Sequence, residues 1–394
     1  MLSGLMIGLC GDSGLSGASR RVIEMQHSYT RITIDLNEYR RNVGKIQDAL
    51  GGRLLLVIKA NAYGLGAVGL LPAISELPDV MVGVAVVDEA LELRQAGYMG
   101  NILVMGYTPP EHYKLALRHF LSLGVYRPEN IPRLEDAAAE LGTVARVHIK
   151  LDTGMHRVGT TPESLTKLLD RIAENPHVAV EGIYSHLAGT SSPDDPLIPE
   201  QTRVFQECAE EIESRLAVRA IKHIANSTGA LAFPESRMDM TRIGILAIGY
   251  HPPEHHGPKL DVKPVIRFST QVVDVRTLPA NTGVSYGHKY KTPQDACIAT
   301  IPVGYADGIP YQFFPGGQVL FRGRRREVAG VVNMDYMMIN TEDEQEVQVG
   351  EEVVLIGAQG DEEITLSEFA TFCGSINYDI ICKLGRRVKR EYLS

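Results

Sequence analysis

Arg53-Leu-Leu-Leu-Val-Ile-Lys-Ala-Asn-Ala-Tyr-Gly-Leu-Gly66 is an apolar run that stops at a lysine and turns through glycines. A short run of this kind, closed by turn residues, reads as a buried strand. Lys59 stands where the strand ends. Burial there lowers the pKa of an amine toward the neutral form, and a neutral amine condenses with an aldehyde. A lysine that snorkels from a strand edge is the plainer account of the same letters. What surrounds the stretch decides between the two.

Working outward, seven more apolar runs follow, at 81–87, 101–106, 121–125, 145–151, 179–185, 221–225 and 239–246. Amphipathic stretches lie between them, for example 88–97, 128–141, 162–175 and 199–216. Eight strands alternating with helices predict an α/β fold, a closed parallel (β/α)8 barrel of the TIM type rather than an open sheet. The texture changes after His251-Pro-Pro-Glu-His-His-Gly-Pro258. From there the runs are short and β-branched, as at 272–277, 298–303, 326–332 and 352–356, with one helical stretch near 366–373. That predicts a mainly-β C-terminal domain. The division expected is a barrel over 28–258 and a β-rich domain over 259–394, with the strand at 30–36 fitting either. Residues 1–27 are Gly/Ser-rich, and their basic residues follow the apolar part rather than precede it. They read as a disordered extension, not a secretory signal.

Composition removes several function classes. A net charge of −9 over 394 residues argues against a nucleic-acid partner. No apolar run has transmembrane length, so no membrane partner is expected. The five cysteines are scattered and lack CxxC spacing. This fits a reducing, cytoplasmic setting and gives no reason to expect a metal.

Three strings tempt. Gly64-Leu-Gly-Ala-Val-Gly69 matches a dinucleotide fingerprint, but five residues separate the strand from its first glycine. His251-Pro-Pro-Glu-His255 matches an inverted zinc-protease string, yet two prolines forbid the helix it needs. Asn226-Ser-Thr228 is a glycosylation string at a strand end, where a phosphate cradle is the better use.

The strand ends make the stronger pattern. Val147-His-Ile-Lys-Leu-Asp-Thr-Gly-Met-His-Arg157, Gly182-Ile-Tyr-Ser-His186, His223-Ile-Ala-Asn-Ser227 and Met240-Thr-Arg-Ile-Gly-Ile245 all turn polar after an apolar run. In a barrel those ends meet at one mouth. Lys59, Arg157, His186, Ser227 and Arg242 then face one pocket. Ser227 with the amides of Gly244 and Ile245 suits a phosphate, and Lys59 suits an aldehyde. The ligand implied is pyridoxal 5'-phosphate.

These blocks, with Ser285-Tyr-Gly287, Gly304-Tyr-Ala-Asp-Gly308, Met334-Asp335 and Ile376-Asn-Tyr378, resemble the bacterial alanine racemases over roughly residues 30–390. The resemblance implies a homodimer with shared active sites acting on a small amino acid, interconverting L- and D-alanine and supplying D-alanine for peptidoglycan. It implies that Lys59 is the Schiff-base lysine and one acid/base, and that Tyr286 is the other, reaching into the second subunit's pocket. Tyr63, Ser227, Gly244, Ile245 and Tyr378 would hold the phosphate. Arg242 would meet the pyridine nitrogen, with His186 near the ring. Arg157 and Met334 would bind the substrate carboxylate, and Tyr305 would line the way in. Lys150 matches a lysine that the family often carbamylates. Arg157 and His186 are read as the cationic neighbours that a tyrosine base needs.

The chain departs from the family at Leu65, His288, Tyr311, Asn333 and Gly249-Tyr250. His288 and Tyr311 bear on substrate preference and on support of Tyr286. A serine or broad-specificity racemase is the alternative within the same chemistry. A non-catalytic pyridoxal-phosphate protein is disfavoured by the Ser285-Tyr-Gly287 block, and a related decarboxylase by Arg242.

Overall fold

The protein is seen here as a computed structural model that describes residues 29–189, 192, 195–252, 257–342 and 346–394. The extension expected over residues 1–27 lies outside the described residues, as do residues 253–256 of the histidine- and proline-rich linker.

Nine strands open the chain: β1 (Arg31–Asp35), β2 (Arg53–Val57), β3 (Val80–Val84), β4 (Ile102–Val104), β5 (Ser122–Val125), β6 (Ala145–Lys150), β7 (Val178–Tyr184), β8 (Ile221–His223) and β9 (Met240–Ile243). Strands β2 to β8 pair in sequence order, all parallel, and β9 pairs with β2. Two backbone bonds close the ring between β8 and β9: Asp239 N–H to Lys222 O at 3.0 Å and Arg242 N–H to Ala225 O at 3.1 Å. Leu54, Leu55 and Leu56 of β2 are all buried, on both faces. That explains the unbroken apolar run, because a strand between a filled interior and an outer helix has no wet side.

The outer helices carry the complementary stripe. Pro162–Ala173 buries Leu165, Leu168, Leu169 and Ile172, spaced at three, one and three residues, on one face. Its proline sits in the first turn, where the missing N–H is harmless. Helix Leu36–Leu50 is capped by Asp35, whose carboxylate accepts the Glu38 N–H at 2.8 Å.

Strand β1 stands in another sheet. It pairs antiparallel with β10 (Ile266–Gln271) and parallel with Lys389–Leu393, near the end of the chain. Ile32 and Ile34 fill the core beneath that pairing. The run at 272–277, expected as one strand, is where the chain changes sheets. Val272 N–H bonds to Glu351 O and Val273 N–H to Thr300 O, after which Asp274–Leu278 joins Ala296–Ile301 and Met337–Asn340. The run at 326–332 likewise ends early, at Glu327. The two parts are joined by Arg390, whose guanidinium donates to Gly64 O at 2.8 Å and to Leu384 O at 2.9 Å. No helix among the described residues is long and apolar enough to cross a membrane.

Candidate active site

The C-terminal ends of the barrel strands open into a cavity of about 550 Å³. It brings together Lys59, Tyr63, Lys150, Arg157, His186, Ser227, Arg242, Gly244, Ile245 and Tyr378. None of the residues described as lining it is acidic. Four basic side chains without a carboxylate among them favour an anionic ligand.

After β2 the backbone makes a left-handed turn. Ala60, Asn61, Ala62 and Tyr63 have φ of 53°, 55°, 52° and 56°. Each non-glycine residue in that region costs roughly 1–2 kcal/mol, so neighbours must hold the turn. Glu89 accepts the Ala60 N–H at 2.6 Å and the Ala85 N–H at 2.7 Å. Asn61 Oδ1 accepts the Ala67 N–H at 2.8 Å. The Tyr392 hydroxyl donates to Leu65 O at 2.8 Å. The glycines of the tempting fingerprint serve packing here. A Cβ on Gly64 would lie 2.2 Å from Ile381 O, and one on Gly69 would strike the Tyr392 ring. The turn aims Lys59 into the cavity, where burial first and Arg157 second lower its pKa, opposed by Glu89.

Lys150 ends β6. Burial, then Arg242 and Arg157, bring its pKa down to about 7. Its ammonium lies 4.5 Å from the centre of the Tyr184 ring. Asp152 then turns the chain by accepting the amides of Gly154 and His156, which returns Arg157 to the cavity. At the end of β7, His186 is held down to about 2, first by burial and then by Arg242. That direction disfavours the reading of His186 as a cationic neighbour, because Arg242, Lys150 and Arg157 already surround it with positive charge.

Arg242 is fully enclosed. It donates to the carbonyls of Ser185 at 2.7 Å, His223 at 2.8 Å and Ile224 at 2.7 Å. It also lies 3.2 Å from Nδ1 of both His186 and His223. Burial lowers its pKa to about 10, which still leaves it a cation. Asn226 caps the short helix Ser227–Ala232 by accepting the Gly229 N–H at 2.9 Å, which fixes Ser227 at the wall. At Gly244 a Cβ would meet the Tyr63 hydroxyl at 2.2 Å, so only glycine allows this approach. Tyr63 packs against Tyr378 of the C-terminal part, with ring centres 5.8 Å apart. Burial raises the pKa of the Tyr378 hydroxyl to about 12.

Three expected residues lie elsewhere. Tyr286, Tyr305 and Met334 are 75%, 46% and 54% exposed and do not line the cavity of their own chain. They share one face of the C-terminal part. Ser285 Oγ donates to Val331 O at 2.9 Å, Tyr305 N–H donates to Asn333 O, and Ala306 N–H to Met334 O. Arg387 braces that face by pairing with Asp307 and Asp335. Sequence reasoning missed Met105, Tyr184 and Cys382, which also line the cavity, and gave Asn226 no role of its own within the cradle string. Asn226 had a signal, as a helix cap before Ser227; Met105 and Tyr184 had none beyond their apolar runs.

Comparison with known proteins agrees with this geometry. The family pattern for "Alanine racemase, N-terminal domain" matches residues 34–252, and that for "Alanine racemase, C-terminal domain" matches 265–392. An alanine racemase of Symbiobacterium thermophilum is 40% identical over 360 residues, 91% of this chain and 96% of that protein. The alanine racemase of a D-cycloserine-producing Streptomyces lavendulae superposes with a TM-score of 0.89 at 33% identity, covering 94% of this chain and 98% of that one. A histidine racemase of Leuconostoc mesenteroides superposes with a TM-score of 0.84 at 27% identity, covering 94% and 100%. With both family patterns matched in order across a lysine-centred barrel mouth, the chain belongs to the alanine racemase family.

Proposed function

We propose that this chain is an alanine racemase that works as a homodimer, each cavity completed by the partner subunit's Tyr286. The family depends on pyridoxal phosphate. The observation that carries the reading is the cavity itself, where a pKa-lowered Lys59 faces a carboxylate-free, fourfold basic pocket. The residues suit the cofactor. Gly244 has no Cβ where one would meet the Tyr63 hydroxyl. Arg242 offers only donors to a ring nitrogen. When bound, pyridoxal phosphate supplies an aldehyde that captures an amine and a ring that spreads the charge left by a departing Cα proton.

The chain's own residues divide the rest. Lys59 holds the cofactor and moves a proton at the substrate Cα on one face. The partner subunit's Tyr286 moves a proton on the other, since one group cannot serve both faces. Arg157 binds the substrate carboxylate. Tyr286, Tyr305, Met334 and Tyr336 are all exposed on the C-terminal part, and such a group of large apolar side chains supports a contact with a second copy. Half-buried Tyr378 packs against Tyr63 at the cavity wall, which supports a small side chain such as the methyl of alanine. All four cysteines among the described residues are free, which suits the cytoplasm as the proposed location.

Borohydride trapping of the coloured protein should mark Lys59. Tyr286→Phe should keep the colour and lose at least about a hundredfold in racemisation, the usual scale for a general base. A D/L assay on alanine and serine should rank alanine first. Trapping at another lysine overturns the assignment.

A further inference from the structure

Inside the barrel, behind Arg242, two histidines from the strands on either side of β7 meet with no water-exposed surface. His148 of β6 and His223 of β8 are both fully buried. His148 Nδ1 lies 3.0 Å from His223 Nε2, and His223 Nδ1 lies 3.2 Å from Arg242 Nη1. Tyr184 stacks flat on His223, with ring centres 5.1 Å apart. The remaining nitrogen, His148 Nε2, is buried without a hydrogen bond, and Glu181 Oε2 lies 3.5 Å from it. Ser122 Oγ donates to the same carboxylate oxygen at 2.6 Å.

Strand β7 is shaped for this contact. Val147 pairs with Val180 but His148 pairs with Gly182, so Glu181 is an extra residue in a bulge. Bulges re-aim a side chain. The next residue is a glycine whose Cβ would lie 2.2 Å from His148 Nδ1. Bulge and glycine together admit the imidazole and bring a carboxylate to it.

Hydrogen-bond chemistry then allows one direction only. Arginine donates and never accepts. His223 must therefore present a lone pair at Nδ1 and carry its proton on Nε2. That proton points at His148 Nδ1, which must accept, so His148 carries its proton on Nε2, toward Glu181. We infer that Glu181 is a positioning residue. Acting through His148 and His223, it secures the tautomers that Arg242 dictates, by accepting the last proton of the chain, and so keeps an acceptor on Arg242 from behind the active site. The tautomer of an imidazole is set by the bond its other nitrogen makes. Without the anion at the far end, the His148 Nε2–H that Arg242 dictates is buried with no acceptor. That cost offsets the Arg242 contact, so the reverse tautomers, in which Arg242 faces an N–H in place of a lone pair, become populated. Burial already holds His223 neutral, and the His148 contact is the main reason that the Glu181 carboxyl stays near 2.

The consequence for catalysis rests on the reading above, through Arg242; the tautomers do not. The test is nitrogen NMR of the full chain, purified with its cofactor and labelled at histidine. Wild type should show His148 and His223 each protonated on Nε2 alone. Glu181→Leu should give mixed tautomers at both, and lower kcat about tenfold, the scale of outer-layer partners of functional histidines, with KM within about twofold. Glu181→Gln, whose amide oxygen still accepts, should restore the single tautomers and most of kcat. A wild-type His223 protonated on Nδ1 overturns the inference, whether or not any variant folds. So does an unchanged pattern in Glu181→Leu. Borohydride trapping of Lys59 on the same samples reports the cofactor separately, so single tautomers without trapping reject the proposed function and leave the tautomer chain standing.

Discussion

Lys150 shows how far one residue's chemistry follows from its depth. An ordinary lysine is almost wholly protonated at neutral pH. Here burial brings the pKa to about 7, so roughly half the amines are neutral at that pH. The folded value lies below the unfolded one. The unfolded chain therefore binds more protons between about pH 7 and 10.4, and stability rises with pH across that window. In buffer freed of carbon dioxide, Lys150→Met should remove this slope, and at pH 6.5 should stabilise the fold on the order of 1–3 kcal/mol. Urea midpoints at pH 6.5 and 9.5 measure both. A neutral amine can also add carbon dioxide, releasing a proton; at Lys150 this would leave a carbamate anion beside Arg157 and Arg242. Labelled bicarbonate should give a carbamate carbon signal that grows from pH 6 to 8 and is absent in Lys150→Met. At this scale the site was largely legible, because a polar residue closing an apolar run stands out. His148 and His223 did not stand out. A polar residue inside a strand reads like any solvent-facing alternate until the barrel closes around it.

At the scale of elements, the strands were legible and the turn that matters most was not. Strands buried on both faces leave unbroken apolar runs, and all eight barrel strands fall within about two residues of those runs at their starts. The turn Ala60-Asn61-Ala62-Tyr63 takes left-handed φ without a glycine, so no residue type announces it. Its conformation is imposed from outside, by Glu89 and by Tyr392 from the far end of the chain. That origin predicts opposite signs for two changes. Ala60→Gly, ordinarily a loss, should be neutral or gain up to about 1 kcal/mol, since glycine alone is at ease at this φ. Glu89→Ala leaves the amides of Ala60, Ala85 and Val86 without their carboxylate and should cost about 1–3 kcal/mol, with weaker cofactor retention. Equilibrium unfolding in urea and a dialysis assay of bound cofactor read the two effects. A loss from Ala60→Gly equal to that of an ordinary helix position would show that the turn is not strained.

In the whole molecule the two proposed bases, Lys59 and Tyr286, do not share one cavity of the same chain. Lys59 lies at the barrel mouth, while Tyr286 stands exposed on the C-terminal part, beside Met334 and Tyr305. The sequence order of the motifs implied both parts. Composition could not say that the proposed second base, Tyr286, stands outside the cavity of its own chain, because exposure depends on the folded surface. If the active sites are shared, an isologous dimer of two crippled chains regains function. Lys59→Ala chains keep Tyr286, and Tyr286→Phe chains keep Lys59. In a hybrid, one cavity combines both lesions and stays dead. The other combines Lys59 of one chain with Tyr286 of the other and is complete. Random re-pairing at equal amounts makes half the dimers hybrids, each with one working site, so the mixture should recover about a quarter of wild-type racemase activity from two nearly inactive samples. Racemisation measured before and after mixing, under conditions that exchange subunits, decides the matter. If size measurements show hybrids and activity does not rise, each cavity draws both bases from its own chain, and the exposed face around Tyr286 has another use.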